Sequence, residues 1–564
     1  MVSEQFIASL NMDFSRLDMK WIKQNAYLLS FAGVFACYFF NLFIDIMDVD
    51  AAQFASIARE MVEKGSYLEV YHRGKDYLDK PPLLFWLSAL SFRLFGFHNW
   101  SYKLPAVLAL IGAVYFTYRF AKLYYTDRVA KNAALILASC QAMMLMTNDV
   151  RTDGLLTSAV IFTIWQMAAY LKFKSNRYII LAGIGLSLAL MTKGPIAAII
   201  VAAAIGGHLL LSKNWLQIFD IKWVLLVVIA LLLLVPMCYG LYTQFDLHPE
   251  KFVYGLQGPS GLKFFFWTQS FGRVTGDIYW ANDTGPFYFL NTILWDFQPW
   301  VVLFFIGFGW FVLRIFQKDK PKEYITFMGF LFPFIALSAS NYKLPHYIFV
   351  LLPFAAIIAS DSLDRLSGKF LRLFTYVQFG LMHLYFALGG LILFYFFSEK
   401  YPIIIMVWLL GFLVFWYVFL KAHSNRFVFI SVAAAISLGV VMSTSFYPHL
   451  LTYQSRSIVG KKINQLQVPQ DQFYSFGEVS FALDYYARRT VPVADSSGFD
   501  SLPAKTYIFA TAEGKDYIDK NAKTRFNTIE KYDDFRVTQL QIQFLKPNTR
   551  STKLKKTYLL QKEN

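Results

Sequence analysis

The feature that most constrains this chain is a succession of long apolar runs, each near the roughly 15 to 25 residues a helix needs to cross the hydrocarbon core of a bilayer. About thirteen are predicted, centred on 25–46, 104–122, 132–147, 154–172, 178–192, 195–212, 222–244, 290–313, 324–340, 346–361, 371–397, 402–420 and 427–447. Backbone polar groups in hydrocarbon must be satisfied within their own segment, so such a series dictates a bundle of transmembrane helices. The composition agrees, with 56% hydrophobic residues against 16% charged. Only Lys193-Gly194-Pro195 divides the fifth run from the sixth. The first run has no small-residue cleavage pattern ahead of it, which predicts a retained span.

Charge then assigns the two sides. With the N-terminus taken as cytoplasmic, about twenty-one Lys and Arg fall in the inside segments, among them Arg16, Lys20, Arg119, Lys122, Lys172 and Arg365. The short outside loops hold only Arg151, Lys193, Lys343 and Lys400. That is the asymmetry of the positive-inside rule. It also accounts for much of the net charge of +16 without nucleic acid, so no nucleic-acid partner is expected. Cys37, Cys140 and Cys238 all lie in apolar runs, where neither a disulfide framework nor a metal cluster is spelled out.

An odd number of spans puts the C-terminus outside, together with two long loops, 47–103 and 246–289. The expected division is therefore a membrane domain over 1–450 and a soluble extracytoplasmic α/β domain over 451–564. In the latter, Thr506–Ala510 and Val537–Leu545 read as strands and Ser480–Arg489 as a helix. Tyr485 and Tyr486 suit either stacking on sugar rings or a packed helix face.

Ionisable residues gather on the outer side. Asp48-Val49-Asp50 precedes QFASIAREM, whose spacing suits an amphipathic helix on the membrane surface. Asp50 suits either chemistry or helix capping. Asp48 and Asp50, two positions apart, do not face each other on a helix. Asp79 and Lys80 stand ahead of Pro81 and Pro82, which fix the start of an apolar helix. A single lysine here, or Lys193 in TKGP, or Lys343 in NYKLPHY, is equally a snorkelling side chain. Asp149, Arg151 and Asp153 share one tight connection, as a local ion pair or as part of a site. Arg273, Asp277 and Asp283 lie in the second loop. Together these groups describe a site for a phosphate-bearing substrate: lysine offers a point charge, arginine a two-pronged donor, and a carboxylate can take a proton from an attacking hydroxyl. No P-loop, dinucleotide fingerprint, HExxH or GxSxG stands in a suitable context.

Through DAAQFASIAREM, YLDKPPLLFWLSALSFRLFG, RTDGLLT, TKGP, the PFYFL and PW pairings at 286–300, and KLPHYIFVLLP, the chain resembles the protein O-mannosyltransferase superfamily, especially its bacterial lipid A aminoarabinose transferase branch. The resemblance covers roughly 25–450. It implies a GT-C fold, a mainly α bundle that takes a polyprenyl (undecaprenyl) phosphate sugar from the bilayer. The sugar would pass to an extracytoplasmic acceptor: lipid A, another glycan or a protein. It further implies a bacterial inner membrane with the active site and C-terminal domain in the periplasm. The family's first-loop catalytic aspartate falls on Asp50, its second acidic position on Asp153, and its phosphate-binding groups on Lys80 and Arg273. Asp48, Asp79, Arg151, Lys193, Lys343 and His346 complete the candidates. Two positions depart from the family pattern: Gln53 replaces an arginine, and Ser270 stands where the aminoarabinose enzymes often carry histidine. No cofactor is implied outright, and a divalent cation is left open.

The expected chemistry is inverting transfer with an aspartate base. The alternative is a polytopic lipid or solute transporter or flippase, against which stand charges gathered outside the spans and the lack of a repeat.

Overall fold

The computed structural model describes residues 24–269, 272, 282, 284–317, 320–397, 401–421, 425–496 and 498–563. Ser270, Arg273, Asp277 and Asp283 lie outside the described residues. Among the described residues seven helices are long and apolar enough to cross a membrane, eight if one bent pair counts as a single span.

In chain order the membrane part begins with α1 (Ala26–Asn41), α2 (Asp50–Lys64), the hairpin β1 (Tyr71–His72) and β2 (Lys75–Asp76), and α3 (Leu83–Phe95). It continues with α4 (Asn99–Tyr124), the pair α5 (Asp127–Ser139) and α6 (Gln141–Asn148) bent by 51°, and α7 (Thr152–Phe173). Then come α8 (Asn176–Lys193), α9 (Ile196–Leu211), α10 (Lys222–Leu241), α11 (Val301–Ile315), α12 (Ile325–Ser338), α13 (Leu352–Arg365), α14 (Gly368–Leu391), α15 (Pro402–Lys421) and α16 (Arg426–Val441). Each expected span has a helical counterpart, but α1, α9, α11 and α12 are shorter apolar helices of 14 to 16 residues. The TKGP break is physical: Gly194 takes φ 72°, open to a residue without Cβ, and Pro195 starts α9.

The bundle interior is one continuous apolar core running through Leu110, Leu135, Ile164, Ile200, Trp300 and Phe354. Outward faces are as apolar as the core. On α15, Ile403 is 72% and Leu413 64% exposed, as a lipid-facing helix requires.

The C-terminal domain comprises α17 (Ser455–Gln465), β3 (Phe473–Phe476), α18 (Phe481–Tyr486), β4 (Tyr507–Thr511), α19 (Ala512–Asn521), β5 (Phe526–Asp534) and β6 (Lys555–Lys562). Its sheet runs β3-β4-β6-β5, with β3 parallel to β4 and the other pairs antiparallel. The strand expected over Val537–Leu545 is not one. Phe535, Val537 and Phe544 are instead buried against Leu450 and Leu451 at the end of the α16 rod, so those apolar side chains serve docking rather than a sheet.

This domain packs on the loop 47–103. Ala482, Tyr485 and Tyr486 share a core with Ala51, Phe54, Ala55 and Phe85. Two sequence expectations change as a result. The helix α2 is buried almost throughout Ala51–Met61 and is covered by protein rather than lying open on the membrane. Tyr485 and Tyr486 form a packed face, 4% and 8% exposed, not a stacking platform.

Candidate active site

Asp50 occupies the first turn of α2, where a carboxylate is favoured by the unpaired N–H groups of the helix start. Val49, in extended backbone, is the residue before it. The side chain of Asp50 is 41% exposed and its Oδ2 accepts from Arg151 Nη1 at 2.8 Å. Arg151 precedes α7 and also donates through Nε to Asp149 at 2.9 Å. Burial works against its charge, but Asp149 and Asp50 hold the guanidinium above the ordinary arginine range.

Asp153 sits in the first turn of α7 and is only 4% exposed. Its Oδ1 takes Lys193 Nζ at 2.5 Å, and His346 Nε2 stands 3.9 Å from Oδ2. Lys193 also lies over the ring of Tyr347, 4.2 Å from its centroid. The lysine at the end of α8 is therefore not a snorkelling one: it turns inward to a carboxylate on α7.

Lys80 pairs with its neighbour, Nζ to Asp79 Oδ2 at 2.9 Å. It lines a narrow cleft whose walls are Leu68, Tyr77, Pro81, Met237, Leu241 and Phe265. Loop and membrane helix are clamped to make it. Gln244 exchanges hydrogen bonds with Val70 (2.9 and 2.8 Å) and donates to Asp76 at 2.9 Å. Gly240 lies so close to the Leu68 carbonyl that a Cβ there would collide. The Gln269 amide donates to the Asp79 carbonyl. The separate groups form one field: His346 is within electrostatic reach of Asp153, Lys193, Arg151 and Lys80, and Tyr77 of Asp79 and Asp50.

Two candidates are held elsewhere. Asp48 faces the C-terminal domain, where it accepts from Ser480 Oγ at 2.8 Å and Ala482 N at 3.0 Å and meets Arg456 at 3.5 Å. Lys343 is 6% exposed and donates to the Thr284 carbonyl at 3.1 Å. The structure also brings in Lys103, fully buried on α4, whose ammonium donates to Asn41 O, Ile44 O and Asn148 Oδ1 at 3.0, 2.9 and 3.3 Å. In the sequence it is only the last residue of the loop 47–103, ahead of the span predicted over 104–122. Among the described residues no three His, Cys, Asp or Glu side chains converge as a metal site would require. Asp153 and His346 offer two donors, one already engaged by Lys193. These residues do not fit a resident metal.

Residues 79–239, which carry Lys80, Asp149, Arg151, Asp153 and Lys193, match the family Dolichyl-phosphate-mannose-protein mannosyltransferase. The whole described fold is similar to ArnT from Cupriavidus metallidurans solved with undecaprenyl phosphate, with a TM-score of 0.73 over 96% of this chain and 98% of that one at 15% identity. This is the GT-C fold. The GT-C resemblance extends to sequence: an undecaprenyl phosphate-α-4-amino-4-deoxy-L-arabinose arabinosyl transferase of Pseudomonas fluorescens is 25% identical over 363 residues, and one of Edwardsiella ictaluri is 27% identical over 360. The alignments cover 63% and 61% of this chain and 62% and 59% of those enzymes, less than two thirds of their length. An uncharacterized protein of Aquifex aeolicus is 24% identical over 89% of this chain and 97% of its own.

Proposed function

We propose that the chain is an integral membrane glycosyltransferase that moves a sugar from a polyprenyl (undecaprenyl) phosphate to a hydroxyl on an acceptor such as lipid A, another glycan or a protein. In this reading the bundle lies in a bacterial inner membrane with its N-terminus cytoplasmic and its site facing the periplasm. The observation that carries the proposal is Lys80, a cation at an apolar-walled cleft on the membrane helices and in the same field as Asp153, Lys193 and Arg151. An apolar wall suits a prenyl chain, and an ammonium on the same lining suits a phosphate. The relatives named for undecaprenyl phosphate sugar transfer support the same donor class.

The acceptor oxygen attacks the anomeric carbon as its proton passes to Asp50. The bond from that carbon to the phosphate oxygen breaks, and both electrons leave with the polyprenyl phosphate. Attack opposite the leaving group inverts the anomeric centre. Lys80, with Arg273 from the second loop, stabilises the charge developing on phosphate, a contribution of several kcal/mol for preorganised donors. Asp50 suits the base better than Asp153: it is more exposed, and its single arginine partner leaves Oδ1 uncommitted among the described residues. Asp153 holds Lys193 in place.

The test is release of polyprenyl phosphate by the full chain in nanodiscs, given a panel of polyprenyl-phosphate sugars and a membrane lipid and glycan extract. Asp50→Asn and Lys80→Ala are expected to slow release at least about a hundredfold with unchanged melting. If both variants release at the wild-type rate the assignment is wrong, and a product of retained configuration removes the inverting mechanism. Mass spectrometry of lipids and surface glycans from cells with and without the chain identifies sugar and acceptor.

A further inference from the structure

Where the C-terminal domain meets the membrane bundle, a polar pocket and an apolar groove adjoin at one residue. The pocket has about 590 Å³ of open space and is lined by His98, Asn99, Lys461, Asn464, Gln465 and Arg488, with the edges of Tyr485 and Tyr486 behind them. The groove runs from the end of α1 to the segment that follows α16 and is walled by Phe40, Phe43, Ile44, Pro448 and Leu451. Asp45 is the seam. It lines the groove, while its carboxylate takes Lys461 at 2.6 Å and Asn99 at 2.9 Å, both residues of the pocket.

The groove faces lipid, for Phe40 and Phe43 are 42% and 55% exposed. Phe97, which also lines the pocket, follows the end of α3, whose Leu90, Leu94 and Phe95 are exposed by 55%, 66% and 46%. Exposed apolar side chains of this kind suit contact with lipid beside a polar headgroup layer. The chemistry of the pocket is that of an anion acceptor. The Asp45 carboxylate is engaged by Lys461 and Asn99, and among the described residues Arg488 is in no ion pair. Arg488 is exposed and held at φ 53°, and among the described residues its guanidinium makes one long hydrogen bond, to Phe97 O at 3.5 Å. The amides of Asn464 and Gln465 add neutral donors. The buried hydroxyl of Tyr485 has no hydrogen-bond partner among the described residues.

We propose that this junction is a lipid-binding site distinct from the Lys80 cleft. An anionic, phosphate-bearing headgroup sits in the Arg488–Lys461 pocket and an acyl chain lies in the Phe43–Leu451 groove. Arginine and lysine pockets next to apolar membrane surface recognise such headgroups by charge-assisted bonds to phosphate. A glycerophospholipid and a phosphorylated glycolipid share this chemistry. The proposal does not depend on the glycosyl-transfer reading, because its readout is binding.

The test is native mass spectrometry of the full chain in phosphatidylcholine nanodiscs doped in separate arms with phosphatidylglycerol or with a phosphorylated disaccharide glycolipid. Wild type is expected to retain at least one anionic lipid over phosphatidylcholine, and the arm retained more strongly names the source. Arg488→Asn keeps a residue that tolerates left-handed backbone, and Gln465→Glu adds a repelling charge. Each is expected to weaken retention about tenfold, whereas Lys520→Asn, on α19, leaves it unchanged. The proposal is overturned by no preference for either anionic lipid, by wild-type retention in both pocket variants, or by an equal loss in Lys520→Asn.

Discussion

At the scale of single residues, Asp50 and Asp153 live in different surroundings. Asp50 is open to solvent and steadied by Arg151, whereas Asp153 is 4% exposed and bound to Lys193. A carboxylate buried in an ion pair is a poor proton acceptor while its cation stays in place. Lys103 belongs to the same scale. Its ammonium closes the end of α1 by taking the carbonyls of Asn41 and Ile44, and so sets the path of the segment that leads to Asp48 and Asp50. Lys103→Met removes three bonds at a buried position and leaves their acceptors unpaired. The expected cost is on the order of 3 kcal/mol, read as a lower melting midpoint in detergent. An unchanged midpoint would show that the carbonyls find other partners. The candidate residues Asp50, Lys80 and Asp153 were legible because short motifs carry them. Lys103 was not, since a lysine near the start of a spanning helix usually snorkels.

At the scale of elements, the hairpin β1–β2 meets α18 through titratable groups. His72 lies 3.3 Å from the Gln53 amide and packs on the Phe481 ring. Burial pulls its imidazole down to about 4 from 6.5. The folded hairpin thus excludes a proton that the unfolded chain binds, so stability from His72 is present above pH 6.5 and lost as pH falls towards 4. Asp484, paired with Arg73, acts oppositely: burial lifts its carboxyl to about 6 from 3.8 despite the arginine. The folded state therefore favours this proton, and stability rises as pH falls from 6 towards 3.8. His72→Gln removes the acid-sensitive half of the balance. Hydrogen exchange of the α18 amides should slow on acidification from neutral pH to about 4 by more in the variant than in wild type, relative to the intrinsic rate. Identical profiles would sink the assignment. The helices themselves were readable from apolar length, and the helix at Phe481–Tyr486 from its local pattern. The strand expected at Val537–Leu545 failed because its apolar side chains answer to the membrane bundle.

At the scale of the whole molecule, the C-terminal domain is built into one end of the bundle. Arg456 joins three carboxylates, Asp48 at 3.5 Å, Glu478 at 2.6 Å and Asp534 at 2.9 Å, so it ties the first loop to two parts of the domain. Arg456→Ala strands these charges. It is expected to cost on the order of 3 kcal/mol and to expose the junction at residues 452–455 to limited proteolysis. Because Asp48 stands two residues before Asp50, glycosyl transfer should fall with it. Wild-type protease resistance would show that apolar packing around Tyr485 and Tyr486 holds the domain unaided.

The sequence by itself determined that the chain is a many-span bundle with polar chemistry gathered at one end. Hydrophobic length and charge bias accumulate locally along the chain, and the bilayer reads them segment by segment. Only the tertiary structure decided which polar groups meet. Asp50 and Arg151 are 101 residues apart, and Asp48 and Ser480 are 432 apart. Such pairs follow from how helices and domain pack, a geometry that no local pattern of hydropathy or charge encodes. For that reason Asp48 and Asp50, neighbours in one motif, end on opposite duties: one closes a domain junction, the other stands open beside Arg151.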